Sequence, residues 1–262
     1  MKAEQAKKLA NAALEELESA LKEGKSERLA GYLAMMGRFH SYSFGNILLI
    51  MSQFPGATRV AGYRAWQKLG RFVKKGQKGI VIIAPMKIKV EDEPGANENN
   101  TLLRFRAAYV FDVSQTEGDS LPELGTVLGD PGRFTDRLTE FVASMEIKLD
   151  YAADLGGPDG VSRGGSISVL ETLAPAEKFS VITHELAHEM LHKGGDPRPS
   201  KTIRETEAEA VAFVVCQAIG LEGNGAAVDY IQLYNGDAET LSASLDRIQK
   251  TASEIIEAIA VE

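Results

Sequence analysis

The chain has 262 residues, a formal net charge of −8, 44% apolar and 25% charged residues, an ordinary globular mixture long enough for two modest domains. A single cysteine, Cys216, excludes an intramolecular disulfide, and no apolar run approaches the length of a membrane span. A cytoplasmic location follows as the expectation, with no membrane partner.

Residues 2–23 read as a charged amphipathic helix with Leu14, Leu17 and Leu21 along one face, rather than as a signal peptide. Helices over 26–36 and 44–53 follow, the latter closed by Pro55-Gly56. Charge then divides the chain: residues 1–89 hold 16 Lys/Arg and 6 Asp/Glu, residues 90–262 hold 13 and 31. Ala57 to Lys89 has nine basic side chains and no acidic one, a field that attracts phosphate backbones. Aromatic residues lie among these cations at Tyr63, Trp66 and Phe72, preceded by Tyr42 and Phe44, the pairing by which bases stack while cations follow the backbone. The candidate nucleic-acid contacts are Arg59, Tyr63, Arg64, Trp66, Lys68, Arg71, Lys74, Lys75 and Lys78. Helical spacing over Tyr63 to Leu69 leaves open that Trp66 is buried beside Leu69 with only the charges outside.

Strand-like runs over 79–84 and 103–113, with the acidic loop 91–100 between them, complete an α+β unit. The expected fold class is α+β in two domains: a small α+β domain over 1–120, a linker over 121–132 inside the Gly-, Pro- and Asp-rich stretch 118–132, and a mostly helical domain with a short sheet over 133–262. That second domain opens with a helix over 132–146. Ser166 to Leu170 alternates like an exposed edge strand, which could receive a peptide by strand addition.

His184-Glu185-Leu186-Ala187-His188 sets two imidazoles one helical turn apart, so both can reach one divalent cation. Phe179, Ile182, Leu186 and Met190 repeat at helical spacing, Pro175 suits a first turn and Gly194-Gly195 a stop. Glu185 suits a general base in water attack on an amide. His192 lies eight residues, ~12 Å, beyond His184, which makes it an outer or surface group. The third ligand is sought in Thr202 to Gly220, where Glu205, Glu207 and Glu209 precede an apolar run, Ala208 to Ile219, that holds Cys216 as a packing residue. Thr202 and Glu205 have capping-box spacing, Glu209 shares the face of Glu205, and Glu207 is turned about 200° from both. Glu207 is thus the candidate ligand beside His184 and His188, against the alternative of a solvated acidic first turn. Ligand type admits Zn, Mn or Co. Helices over 226–234 and 238–260 finish the chain.

Tyr42-Ser43-Phe44-Gly45-Asn46, Ala57 to Tyr63, Trp66 to Arg71, Lys75 to Ile80 and Val110 to Thr116 together resemble the ArdC-type antirestriction proteins. The His184 to His188 motif and Glu207 to Phe213 are similar to the zinc metallopeptidase domain of that family. The resemblance implies a single-stranded DNA-binding domain followed by a zincin-like metallopeptidase domain, in a mobile-element protein that shields incoming DNA from restriction. It further implies His184, His188 and Glu207 as ligands, Glu185 as the catalytic carboxylate and the Trp66 to Lys78 region as DNA-binding. Tyr230 and Tyr234, one turn apart, are candidates to donate to a developing oxyanion, with helix packing as the alternative. Two classes stay open: a DNA-coating protein, and a DNA-recruited peptidase with a protein or peptide substrate.

Overall fold

The computed structural model describes residues 3–23, 26–89, 101–120, 130–194, 199–221 and 238–260. It divides into two compact units: Met1–Glu15 with Gly45–Pro122, and Glu16–Phe44 with Glu123–Glu262. One cut falls inside the expected linker. The other separates residues 16–44 from the first 120, which differs from a boundary drawn once along the chain.

In the N-terminal unit the first part of helix α1 (Ala3–Lys22) lays Ala6, Leu9 and Ala10 on Leu49 of α3 (Phe44–Gln53) and on Val81, Ile83 and Ala107. The last three belong to an antiparallel sheet of order β1-β4-β3, formed by Val60–Gly62, Thr101–Asp112 and Ile80–Lys89. β3 and β4 pair without a break from Ile80↔Val110 to Lys89↔Thr101, so β3 runs five residues beyond the end of the apolar run 79–84 and β4 starts two before the run 103–113. The outer edge of β3 is closed by side chains of α3. Asn46 exchanges two hydrogen bonds with the backbone of Ile83, and Gln53 two with Val81, which satisfies groups that an edge strand otherwise leaves open. A short helix α4 (Tyr63–Lys68) and a two-stranded ladder, β2 (Arg71–Val73) with β5 (Thr116–Gly118), complete the unit.

Asp112 joins these pieces. Its buried carboxylate accepts from the Thr58, Arg59 and Ser114 backbone N–H groups and from the Ser114 hydroxyl, while its own N–H donates to the Gln115 side chain. Burial alone would raise its pKa, but those donors outweigh it and hold the carboxyl below the ordinary 3.8. Stability from this group is therefore present above the ordinary value and lost as pH falls through the lower folded one. Asp112→Ala should cost about 2–3 kcal/mol at neutral pH. Denaturant titrations should show the gap to wild type closing only below that acid range; a gap that persists there would remove the carboxylate as its cause.

The C-terminal unit is built around α7 (Lys201–Ala218), whose Ala208, Ala210, Val211, Val214 and Val215 are fully buried. It packs against α2 (Ser26–Arg38), α6 (Pro175–His192) and α8 (Ala238–Ala260). Gly37 of α2 lies so close that a Cβ there would sit 2.7 Å from the Val214 carbonyl oxygen. This apolar crossing explains why α2 groups with the later part of the chain. Helix α5 (Arg133–Ser144) leads into a sheet of order β6-β8-β7, with β6 (Lys148–Ala152) parallel and β7 (Gly160–Ser162) antiparallel to β8 (Ser166–Leu170). β8 is thus the central strand, which corrects the edge-strand expectation for 166–170. Its alternation arises because Ile167 and Val169 face the core. The edge strands are β6 and β7. The expected helix 226–234, with Tyr230 and Tyr234, lies outside the described residues. No described helix is long and apolar enough to cross a membrane.

Candidate metal centre and nucleic-acid surface

Helix α6 starts at Pro175, where a missing N–H costs nothing, and Glu177 accepts from the Ala174 N–H at 3.2 Å. Its apolar residues, Phe179, Ile182 and Leu186, are fully buried. With that face fixed, the four-residue spacing lines up three rings. His184 Nε2 lies 3.1 Å from His188 Nε2, and His188 Nδ1 lies 3.1 Å from His192 Nδ1.

A carboxylate oxygen of Glu205 stands 3.6 Å from His184 Nε2 and 3.4 Å from His188 Nε2. Donor atoms of His184, His188 and Glu205 all fall within 4.8 Å of one another. Two imidazole lone pairs facing each other at 3.1 Å repel unless a proton or a cation lies between them. Donor atoms on one dication with bonds of ~2.0–2.1 Å have about this spacing. Two nitrogens and one carboxylate oxygen at the wall of a cleft therefore fit a divalent ion with a position left open.

The structure brings His184 and His188 together but sets Glu205, not Glu207, beside them. The helix cap explains the exchange. Ser200 caps α7, accepting from the Ile203 N–H at 3.3 Å, so Glu205 has no capping task at Thr202 and its half-exposed side chain is free to face α6. Glu207 turns into the core instead, 1% exposed, where it accepts from Ser244 at 2.6 Å, pairs with Arg247 and bonds His192 Nε2 at 3.0 Å. These partners outweigh burial and hold its pKa below the carboxylate norm. His192 is buried as well, and connects Glu207 to His188. Glu209 stands 3.1 Å from His184 Nδ1. Both candidate ligand rings are thereby oriented through their second nitrogens, an arrangement that fixes tautomer and direction in metal sites.

Glu185 is nearly buried in the same cleft. Burial raises its pKa, opposed by His184 and by the Ser162 N–H. Burial, and then the charge of His184, hold His188 below its ordinary value, so this imidazole is neutral at pH 7, the form that ligates. The edge strand β7 comes so near that a Cβ on Gly160 would lie 3.0 Å from Glu185 Cγ. The turn after β7 is pinned by Glu189, whose buried carboxylate accepts from the Ser162 hydroxyl and from the Gly164 and Gly165 N–H groups at 2.5–2.7 Å. The sequence reading missed Glu189, although a carboxylate following His188 on a buried face was a signal for it.

In the N-terminal unit the nine expected contacts separate. Trp66 is 2% exposed and donates its indole N–H to the Phe111 carbonyl at 2.9 Å, which corrects its assignment as a stacking ring. Arg71 is spent on Thr116, Gly118 and Asp119, Lys74 donates to the Ser114 carbonyl, and Arg59 is half-buried. Arg64, Lys68, Lys75 and Lys78 are exposed and form no ion pair among the described residues. Tyr63 and Phe72 are exposed at 49% and 53%, as are Phe105 and Tyr109, which the sequence reading did not single out.

Residues 3–111 match the family described as the N-terminal domain of anti-restriction factor ArdC. The chain is similar to an uncharacterized protein of Bacillus anthracis, 26% identical over 281 residues, which covers 86% of this chain and 46% of that protein. It thus spans about half the length of that curated relative. Among solved structures, the Mn(II)-bound antirestriction protein ArdC from the R388 plasmid superimposes with a TM-score of 0.56 at 20% identity, covering 96% of this chain and 98% of that one. The metal-free form of that protein gives 0.50 at 21% identity, over 82% and 84%.

Proposed function

From the premise that residues 3–111 belong to the ArdC N-terminal domain family and that the chain has an ArdC-like α+β fold, we propose that it is an antirestriction protein of a mobile element. In this reading the N-terminal unit binds single-stranded DNA and the C-terminal unit carries a metal-dependent peptidase-like site. The observation that carries it is the convergence of His184, His188 and Glu205 donor atoms within 4.8 Å, beside a cleft lined by His188, Glu205 and Glu185.

The three side chains would hold one divalent ion, which supplies Lewis-acid activation of water and of a carbonyl. Mn(II) in the R388 plasmid protein supports a divalent ion; zinc and cobalt suit the same donors. Glu185 takes the proton of the attacking water and delivers it to the leaving amine, a task suited to a carboxylate whose pKa is raised toward neutrality. β7, an edge strand whose Ser162 N–H already meets Glu185, would lie alongside the main chain of a bound peptide, and Glu189 keeps the turn after it in position. Glu209 and His192 hold the ligand rings at fixed angles. The placement of Glu185 favours the second reading, a peptidase that DNA recruits to a protein target such as a repressor, a restriction subunit or a crosslinked protein.

For DNA, the exposed cations Arg64, Lys68, Lys75 and Lys78 would follow phosphates while Tyr63 and Phe72 stack bases. Four phosphate contacts on a single strand correspond to a log–log salt slope of about −3. Phe72→Ala should weaken an oligonucleotide by about 1–3 kcal/mol, whereas Trp66→Phe should act on stability. Oligonucleotide titrations across a salt series, with metal analysis of the same protein, test both units; equal affinity for duplex and single strand with a flat salt response would refute the first.

A further inference from the structure

We infer that the cleft around Glu185 selects acidic polypeptide, its Arg163, Lys201 and Arg204 reading carboxylates that flank the amide to be cut. The inference rests on the peptidase reading above and adds its substrate class.

The cleft encloses about 890 Å³, room for several residues of an extended chain. Residues 123–262 carry 11 Lys/Arg against 24 Asp/Glu, yet four of those cations, Arg163, Lys193, Lys201 and Arg204, line this one cleft. They come from separate elements: Arg163 from the turn after β7, Lys193 from the end of α6, and Lys201 with Arg204 from the first turn of α7, where the helix dipole adds positive potential.

Among the described residues only Lys193 has an acidic partner, Glu189 at 3.7 Å, and Arg163, Lys201 and Arg204 form no ion pair. The Arg204 Nε is buried with no acceptor among the described residues, a guanidinium donor left unmet at the wall of a cleft. The cleft's own carboxylates do not fill that need. Glu189 accepts from the Ser162 hydroxyl and two backbone N–H groups and faces Lys193, Glu205 faces the two histidines, and Glu185 accepts from the Ser162 N–H. With a dication in place the cationic excess grows. Guanidinium groups bind carboxylates in two-pronged fashion, which matches Asp and Glu side chains on either side of a scissile bond. Nucleic acid is disfavoured in this cleft because the surrounding unit is strongly acidic and would repel a polyphosphate chain.

The test uses the full chain loaded with Mn(II) or Zn(II) and carrying Glu185→Gln, with fluorescein-labelled peptides of alternating Ala and Glu, Ala and Gln, or Ala and Lys. Anisotropy should rank Glu over Gln by about tenfold and Lys last, with the difference shrinking as salt rises. Arg163→Glu and Lys201→Glu, both at exposed positions, should erase the preference; Arg163→Gln and Lys201→Gln should halve it or more without adding repulsion, and thermal melting confirms the fold. Equal binding of the Glu and Gln peptides would overturn the inference, as would reversals that weaken an oligothymidylate but leave the peptide ranking intact. A parallel arm follows hydrolysis by the wild-type chain. Selective binding without turnover would support the acid-reading cleft and sink the hydrolytic reading, so the two failures are distinct.

Discussion

Glu207→Ala should destabilise the metal-free protein by about 2–3 kcal/mol, because it removes a buried acceptor and leaves buried donors unmet. Glu207 is 1% exposed and holds Ser244, Arg247 and His192 at once. Without it, the buried His192 imidazole and Ser244 hydroxyl lose their acceptor in a low-dielectric core, while Arg247, its side chain 45% exposed, loses a partner it can replace with water. Glu205→Ala should behave in the opposite way. Its side chain is 49% exposed, so urea denaturation of the metal-free variant should match wild type within about 0.5 kcal/mol. Its metal affinity should drop beyond the ~10–100-fold typical of losing an outer partner. Calorimetric metal titration beside denaturation reads both effects in each variant. If Glu207→Ala keeps its stability and loses the metal, while Glu205→Ala keeps both, the ligand set is His184, His188 and Glu207.

The contrast between those two glutamates marks where sequence reasoning reaches and where it stops. The His184 to His188 helix is legible because apolar spacing, Pro175 and Gly194 all agree on its phase and ends. The face of α7 that meets it is not. Ser200 and Thr202 are both competent caps, and a shift of the start by two residues rotates the first turn by about 200°, exchanging Glu205 for Glu207. Trp66 shows a related limit: helical spacing fixes its side of α4, but only the sheet lying there, with the Phe111 carbonyl in reach, decides that the side is inner. Residues 16–44 read as ordinary amphipathic helices, whose apolar faces carry no record of the partner they cover. Three-residue strands such as β2, β5 and β7 are too short for alternation to register.

Glu185→Gln should reduce peptide hydrolysis by about 10²–10⁴-fold while leaving metal content and oligonucleotide affinity unchanged. Glutamine keeps the shape of the side chain in its nearly buried place against Gly160 and can still accept from the Ser162 N–H. It loses only the capacity to take up and return a proton. The reacting ligands are spared because Glu185 is not among the three facing donors. The same variant separates the two readings of the whole protein. Transfer of single-stranded DNA into a restricting host, with the variant supplied in place of wild type, measures protection directly. Unchanged protection assigns the shielding to the cationic N-terminal unit, with hydrolysis serving another purpose. Loss of protection with intact oligonucleotide binding assigns it to cleavage of a protein that the DNA brings near, and the acidic peptides selected by the cleft would then narrow the search for it.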